Sequence, residues 1–381
     1  MSEVRILPNE IPSEPRRIVV AMSGGGDSCV AAAWLLVLGH DVVGLFLRIG
    51  AAPGPAAARH KQGCCSLDDS MDARHVAGRL GVPFFAVNFK REFGRIINYF
   101  ADEYDRGRTP NPCIVCNRDL KFGRLLDYAD EIGASHVATG HYARIERRGD
   151  RYGVARAADG DKDQSYVLFP LEQDQLARTV LPLGALTKAE VRAEANRFGL
   201  PVAEKAESQE ICFVPDNDYG GFLKRRDPDS IRPGPIVDRA GVVQGEHEGH
   251  QLYTIGQRKG LGGGFTRPVY VIEIRAEENT VVIGEREDLV AAGLIVDAVT
   301  WQAHAGLGDG DELIGTVRTR YQQRPVAARA RRDEGGRVRV ELDEPLRAVT
   351  PGQAAVFHDG DIVQFGGWIA EPIPLRTGDA G

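Results

Sequence analysis

The sequence predicts an α/β protein: an N-terminal doubly wound parallel-sheet domain over residues 16–216, a small central domain over 217–287 and a C-terminal antiparallel β-barrel over 288–375, after a disordered lead of residues 1–15. Three observations carry this reading. Strand-like and helix-like segments alternate from Arg16 to about Gly140, as in a parallel sheet with helices on both faces. Beyond about Asp216 glycines multiply and long helical periodicity fades. From about Leu289 short alternating segments such as "RVRVELDE" are separated by Gly and Pro turns, the pattern of a small barrel.

The first element is the apolar run Ile18–Met22, a buried strand. The turn Ser23-Gly24-Gly25-Gly26-Asp27-Ser28 follows, and then an apolar helix that Asp27 or Ser28 is expected to cap and Gly39 to end. Consecutive glycines let backbone N–H groups converge at the positive end of a helix, so an anion is expected there, and phosphate fits best. No Gly-Lys-Ser/Thr follows, so no lysine is placed as in the common nucleotide loop, and γ-phosphoryl transfer is disfavoured.

The alternation continues through "DVVGLFL", a helix over about 68–80, "VPFFAVNF", helices over about 92–104 and 119–132, and "SHVATGH". Ser23–Ser28 and Thr139–His141 both fall at carboxyl ends of strands, where ligands of such sheets bind. Between Ile49 and Leu67 an exposed loop is expected; its Cys64 and Cys65 read either as packed small hydrophobes or as redox or ligand residues. Cys29 lies on the apolar face of the first helix and reads as core.

In "RGRTPNPCIVCNRDLKFG", Pro110 and Pro112 stiffen a loop between two helices, and Cys113 and Cys116 have Cys-x-x-Cys spacing. Arg118 and Lys121 are expected to lower a thiol pKa there. No second Cys-x-x-Cys or His pair completes a zinc site. Next come a hairpin around "RRGDRY", the polar triplet Lys162-Asp163-Gln164 at a surface strand entrance, and a helix capped by Thr187 with Glu190. Cys212, in "ICFV", reads as core by itself, but is the best third ligand or resolving thiol for the Cys-x-x-Cys pair.

Farther on, "HQLYTIGQRKGLGG" is expected to be a surface loop that touches phosphate through Arg258 and Lys259. Six arginines and Tyr321 lie between Thr316 and Arg332 with no acid, which makes either a cationic face with a stacking aromatic or a solvated barrel face. The net charge of −7 argues against a general nucleic-acid binder, so any RNA contact must be local. No run reaches membrane-span length and no export signal stands at the start, so a cytoplasmic protein with no membrane partner is expected, with thiols kept out of structural disulfides.

The string "SGGGDS" resembles the pyrophosphate-binding loop of ATP pyrophosphatases, which split ATP to AMP and pyrophosphate while adenylating a substrate. With "GRTPNPCIVCNRDLKFG", "ATGHYAR", "KDQSYVL", "SQEICF", "YTIGQRKGLGG", "RTRY" and "AVTPGQAAVF" in order, the chain resembles the tRNA-specific 2-thiouridylases from about Ile18 to Ile369. The resemblance implies ATP-dependent 2-thiolation of the wobble uridine of tRNA, with Mg²⁺ and a persulfide sulfur-donor protein as partners. Ala21, Met22, Ser23, Gly24, Gly25, Gly26, Asp27, Ser28, Leu47 and Gly140 would contact ATP. Asn111, Pro112 and Cys113 would surround the target base. His141, Lys162, Asp163, Gln164, Arg320, Tyr321 and Gln353 would contact tRNA. Cys116 would be the nucleophile and Cys212 the persulfide carrier.

Two positions depart from the family pattern. Gly26 stands where an apolar Val is typical, which loosens the loop but keeps its N–H donor. Cys113 stands where many members carry an Asp proposed as general acid or base, which puts acid–base assistance at that position in doubt. Three other readings stay open: an iron–sulfur cluster on Cys113, Cys116 and Cys212, an amide-forming ATP pyrophosphatase, and an RNA-binding sulfur-relay protein without ATP chemistry.

Overall fold

The computed structural model describes residues 11–50, 67–201, 205, 211–214, 217–262 and 265–375. Residues 1–10 of the expected lead, together with Cys64 and Cys65, lie outside the described residues. The N-terminal domain begins β1 (Arg17–Ala21), α1 (Gly26–Val37), β2 (Asp41–Arg48), α2 (Leu67–Leu80), β3 (Phe84–Asn88) and α3 (Lys90–Asp105). It continues with α4 (Pro112–Val115), a π-helical stretch Cys116–Arg124, α5 (Leu125–Glu131), β4 (His136–Ala138) and the hairpin β5 (Ala143–Arg148) and β6 (Arg151–Arg156). It closes with α6 (Gln173–Ala177), β7 (Thr179–Val180) and α7 (Lys188–Arg197).

Ile18, Val19 and Val20 of β1 are fully buried, because β1 is the middle strand and helices cover both faces. The sheet order is β3-β2-β1-β4-β7, all parallel. The chain runs from β1 outward through β2 to β3 and then crosses back to β4 on the other side of β1, so the strand order reverses between β1 and β4 and a crevice opens at their carboxyl ends. The expected side-chain cap of α1 is absent: Gly25 is the N-cap and makes no side-chain capping bond. Gly39 ends the helix with φ +86°, and α7 carries the expected capping box of Thr187 and Glu190.

Two other expectations change. Cys113 lies in the helical turn that Pro112 starts and Cys116 at its C-cap, so the thiols stand on a helix rather than in a stiff loop. Lys162–Gln164 leads into the buried 3₁₀ turn Ser165–Leu168, not a strand.

The central domain is α8 (Tyr219–Arg226) followed by β8 (Gly234–Val237), β9 (Val243–His247), β10 (Tyr270–Arg275) and β11 (Thr280–Gly284), in the order β10-β11-β8-β9. It docks on α3 through aromatic contacts, with Tyr219 stacked on Tyr104 at 5.0 Å and Phe222 edge-on to Phe100 at 5.9 Å. In its expected surface loop Arg258 and Lys259 are exposed, whereas His250, Gln251 and Leu261 are buried.

The barrel comprises β12 (Val290–Trp301), β13 (Glu312–Arg318), β14 (Val326–Arg332), β15 (Val338–Arg347), β16 (Ala354–Asp359) and β17 (Ile362–Pro374). Pairing of β12 with β17 closes it, and β6 joins β17 at Ala155 and Ile362, so the hairpin of the first domain extends the barrel's sheet. Alternation on β14 points Ala328 and Ala330 inward and Arg329 and Arg331 outward. A single cationic face does not form. Arg331 pairs with Glu312 and Glu341, Arg332 with Asp309, and Arg318 turns inward onto Asp163 at 2.6 Å.

The Arg318–Asp163 pair is buried between barrel and first domain, and Asp163 also accepts hydrogen bonds from Ala157 N, Ser165 N and Ser165 Oγ. Removing one partner leaves an uncompensated buried charge, so Arg318→Met is expected to cost about 3–5 kcal/mol, read as a lower urea midpoint. His358 on β16 is fully buried beside Arg156 and Arg318, and burial first and those charges second hold its pKa down at about 3. The unfolded chain takes up that proton near pH 6.5, so stability falls as pH drops from about 6.5 towards 3. His358→Leu is expected to flatten this part of the stability–pH curve.

Candidate active site

The glycine turn is closed on itself. Ser23 N–H donates to Ser28 Oγ at 3.0 Å, the two serine hydroxyls are 3.2 Å apart, and Ser28 Oγ donates to Gly25 O at 3.2 Å. Gly24 has φ +76°, and a Cβ there would lie 2.2 Å from Asp69 O. Gly140, just past β4, packs flush on the turn: a Cβ would lie 2.7 Å from Ser28 N. Ala21 and Met22 end β1 and Leu47 lies late in β2, so the expected nucleotide residues surround one strand-end crevice.

Two lysines serve this loop that the sequence reading did not single out. Lys188 Nζ, at the start of α7, donates to both carboxylate oxygens of Asp27 at 2.7 and 2.9 Å, and Tyr142 OH donates to Asp27 Oδ1 at 2.9 Å. Lys205 Nζ reaches Gly24 O at 3.0 Å and Asp69 and Asp72 at 2.6 Å each. Burial alone would lower the Lys205 pKa, but the two carboxylates outweigh it and raise the pKa above the usual lysine value. The loop thus receives its cations from segments 161 and 181 residues away in sequence, which no local motif reveals.

The thiol-bearing helix is set by Asn111, whose Oδ1 accepts from Ile114 N at 3.4 Å, and by Pro112 at its first position. It then widens into the π-helical stretch, where a Cβ on Gly123 would lie 3.0 Å from Arg118 O. Asn117 is buried there; its Nδ2 donates to Val167 O at 3.0 Å. Cys113 is exposed, whereas Cys116 is half-buried against the apolar core of Ile114, Val115, Leu120 and Phe122. Half-buried Cys212 packs against the same core, and its neighbour Phe213 is edge-on to Phe93 and Phe100 at 5.7 and 5.2 Å. The fold therefore brings Cys116 and Cys212 to the edge of one apolar core from opposite ends of the domain.

Arg118 is paired with the neighbouring Asp119 at 2.6 Å. Cys29 is core, as expected, with burial pushing its thiol up to about 12. Among the described residues no group of three His, Cys, Asp or Glu is arranged to hold a metal ion.

The remaining expected contacts divide by burial. His141 is buried, with Nδ1 2.7 Å from Thr139 Oγ1, and burial holds its pKa well below the usual value, so it is neutral. Asp163 is buried with Arg318, and Gln164 Oε1 accepts from Tyr142 N at 2.9 Å. Arg320 is exposed and donates to Ala348 O at 2.6 Å; Tyr321 is half-buried, 6.3 Å from the Tyr166 ring. A cavity of about 400 Å³ lies between these segments, lined by Gly160, Asp161, Asp163, Arg318, Tyr321 and Gln322. Gln353 points its amide inward, donating to Thr109 O at 3.1 Å and Pro110 O at 3.4 Å.

A glycine-rich turn at the switch point of a parallel sheet, with a thiol-bearing helix and a barrel beside it, is the arrangement of a nucleotide-binding α/β protein. Family models match in succession: the tRNA methyl transferase HUP domain over residues 16–216, the tRNA methyl transferase PRC-barrel domain over 220–285 and the aminomethyltransferase beta-barrel domain over 291–369. The tRNA-specific 2-thiouridylase MnmA of Geobacter metallireducens is 51% identical over 358 residues, 93% of this chain and 96% of that protein. That of Symbiobacterium thermophilum is 47% identical over 364 residues, 94% of this chain and 93% of that protein. The chain belongs to the tRNA-specific 2-thiouridylase family. A solved 4-thiouridine synthetase–RNA complex with bound ATP is 18% identical, covering 56% of this chain and 51% of its own, with TM-score 0.36, too slight a likeness to argue from.

Gly140→Ala tests the crevice. With a Cβ 2.7 Å from Ser28 N the turn must shift, so ATP affinity is expected to fall at least tenfold by calorimetry, with the circular dichroism of the fold unchanged.

Proposed function

We propose that this chain thiolates the wobble uridine of tRNA at C2, using ATP. The observation that carries the reading is that one domain holds both a phosphate-shaped turn and two thiols, Cys116 and Cys212, at the edge of one apolar core. The C2 oxygen of uridine attacks the α-phosphorus of ATP, pyrophosphate leaves, and AMP is then the leaving group on C2. The glycine turn holds the phosphates, and Lys188 and Lys205, ion-paired with Asp27 and with Asp69 and Asp72, brace it. Mg²⁺ accompanies ATP as its usual counter-ion.

Sulfur comes from a persulfide that a donor protein places on Cys212. Its terminal sulfur attacks C2 directly, or Cys116 attacks Cys212 and releases hydrosulfide, which then attacks C2. In both cases AMP carries off the original oxygen. In the direct route C2 is left joined to Cys212 through the S–S bond, and Cys116 then attacks Cys212 Sγ, breaking that bond and releasing the 2-thiouridine. A Cys116–Cys212 disulfide thus forms by either route, and an external thiol reduces it. Cys113 sits exposed on the same turn, beside Asn111 and Pro112, where the target base would rest. Lys162, Arg320 and Tyr321 are the tRNA contacts with solvent access; His141, Asp163 and Gln164 support that surface from beneath. Among the described residues no helix is long and apolar enough to cross a membrane, and we take the cytoplasm as the site of action.

The test is nucleoside mass spectrometry of unmodified tRNA incubated with the protein, Mg-ATP and a persulfide donor. One oxygen replaced by sulfur at the wobble uridine is expected, lost in Cys212→Ala. Thiolation only by anaerobic, iron-containing protein would replace the persulfide route with a cluster. ATP split to AMP without any thiolated tRNA would overturn the substrate.

A further inference from the structure

We propose that Gln353, in the barrel turn 350–353, is a positioning residue that fixes the start of the thiol-bearing helix. The connection from α3 to α4 runs through Arg106–Asn111, and its last residues carry main-chain groups with no helix or strand partner of their own. The barrel supplies those partners. Thr109 N–H donates to Pro351 O at 3.0 Å, and Gln353 Nε2 donates to Thr109 O at 3.1 Å and Pro110 O at 3.4 Å. One side-chain amide therefore spans two successive carbonyls directly before Asn111, the residue that caps α4.

The turn that carries Gln353 is itself fixed. Thr350 Oγ1 donates to Ala348 O at 2.9 Å, Gly352 N to Ile369 O at 3.0 Å, Ile369 N to Gln353 O at 2.8 Å, and Gln353 N to Thr350 O at 3.2 Å. Gly352 has φ +86°, and a Cβ on it would lie 2.9 Å from Arg108 Cβ and 3.0 Å from Thr109 N and O. The barrel therefore touches the connection backbone to backbone, leaving little slack between the two. A shift of Thr109–Pro110 passes to Asn111 and Pro112, and so to Cys113 and Cys116 on the next turn. Placement errors near 1 Å cost of order 10²-fold in rate at a reacting centre. The Gln353 amide faces the protein, on Thr109 O and Pro110 O.

What the positioned thiols accomplish rests on the proposed function; that they are positioned does not. The experiment uses full-length Gln353→Glu, which replaces the donor with an acceptor facing two carbonyls, and Gln353→Met, which removes the donor at similar size. Amide hydrogen exchange over 113–117 is measured without tRNA or ATP, alongside tRNA Kd and single-turnover thiolation. Exchange at least tenfold faster in both variants, thiolation slower by about 10- to 100-fold and tRNA Kd within twofold are expected. Unchanged exchange in both variants overturns the proposal, whatever happens to activity. Weaker tRNA binding with unchanged exchange would make Gln353 a tRNA contact instead. If the unmodified protein thiolates no tRNA, the functional reading falls, while the exchange comparison still decides the role of Gln353.

Discussion

The structure depends on one short connection, Asp105–Asn111, because three domains must each satisfy part of its backbone before the thiol-bearing helix has a defined place. The central domain takes the first part: His250 Nε2 donates to Asp105 O at 3.0 Å, Gln251 to Asp105 Oδ1 at 3.1 Å, and Ile274 packs where Gly107 has no side chain. The first domain takes the middle through buried Glu103, which pairs with Arg106 and Arg108 at 2.9 and 2.8 Å. The barrel takes the last part through Pro351 and Gln353. A buried polar group left unmet costs about 1–3 kcal/mol, so loosening any of the three domains raises the free energy of the helix start itself. The smaller domains are thereby part of the scaffold that places the thiol-bearing helix.

The same economy of space governs the nucleotide crevice. Gly24 and Gly140 are needed less for turn flexibility than because other backbone occupies the place of their Cβ atoms: Asp69 O in one case and Ser28 N in the other. Packing this close draws α2 and the end of β4 onto the turn and lets its N–H groups converge. The cations arrive separately, on α7 and at Lys205. Lys205, seven positions before Cys212 in the chain, is itself held beside the glycine turn.

The sequence disclosed what is local and periodic. The strand–turn–helix of β1 and α1, the alternation of the parallel domain, the Thr187–Glu190 capping box and the short strands of the barrel each repeat with a period or end in a residue whose chemistry forces the ending. What stayed hidden was set by partners distant in the chain. Asp163 reads as a surface residue until Arg318, 155 positions later, is found against it. The arginines of β13 and β14 leave a cationic face and a solvated barrel face both open in the sequence, because the acids that pair with them, Glu312, Glu341 and Asp309, lie outside the window. The π-helical stretch has no periodicity signal, since one widened turn shifts register without changing composition.

The barrel is the place where this matters for substrate binding. With Arg318, Arg331 and Arg332 paired, the cationic field of the chain is weaker than the count of arginines suggests, in keeping with its net charge of −7. A long-range field would favour any RNA, whereas a few groups held at fixed distances favour RNA of one shape. Fixed distance requires a rigid frame. The hairpin β5–β6 supplies it by extending the barrel's sheet from the first domain, and Gln302 pins the junction by donating to Leu168 O and Phe169 O while Val154 N–H donates to its Oε1. The place of the Cys113–Cys116 turn relative to the barrel is likewise set by hydrogen bonds, through Thr109, Pro110, Pro351 and Gln353, rather than by charge.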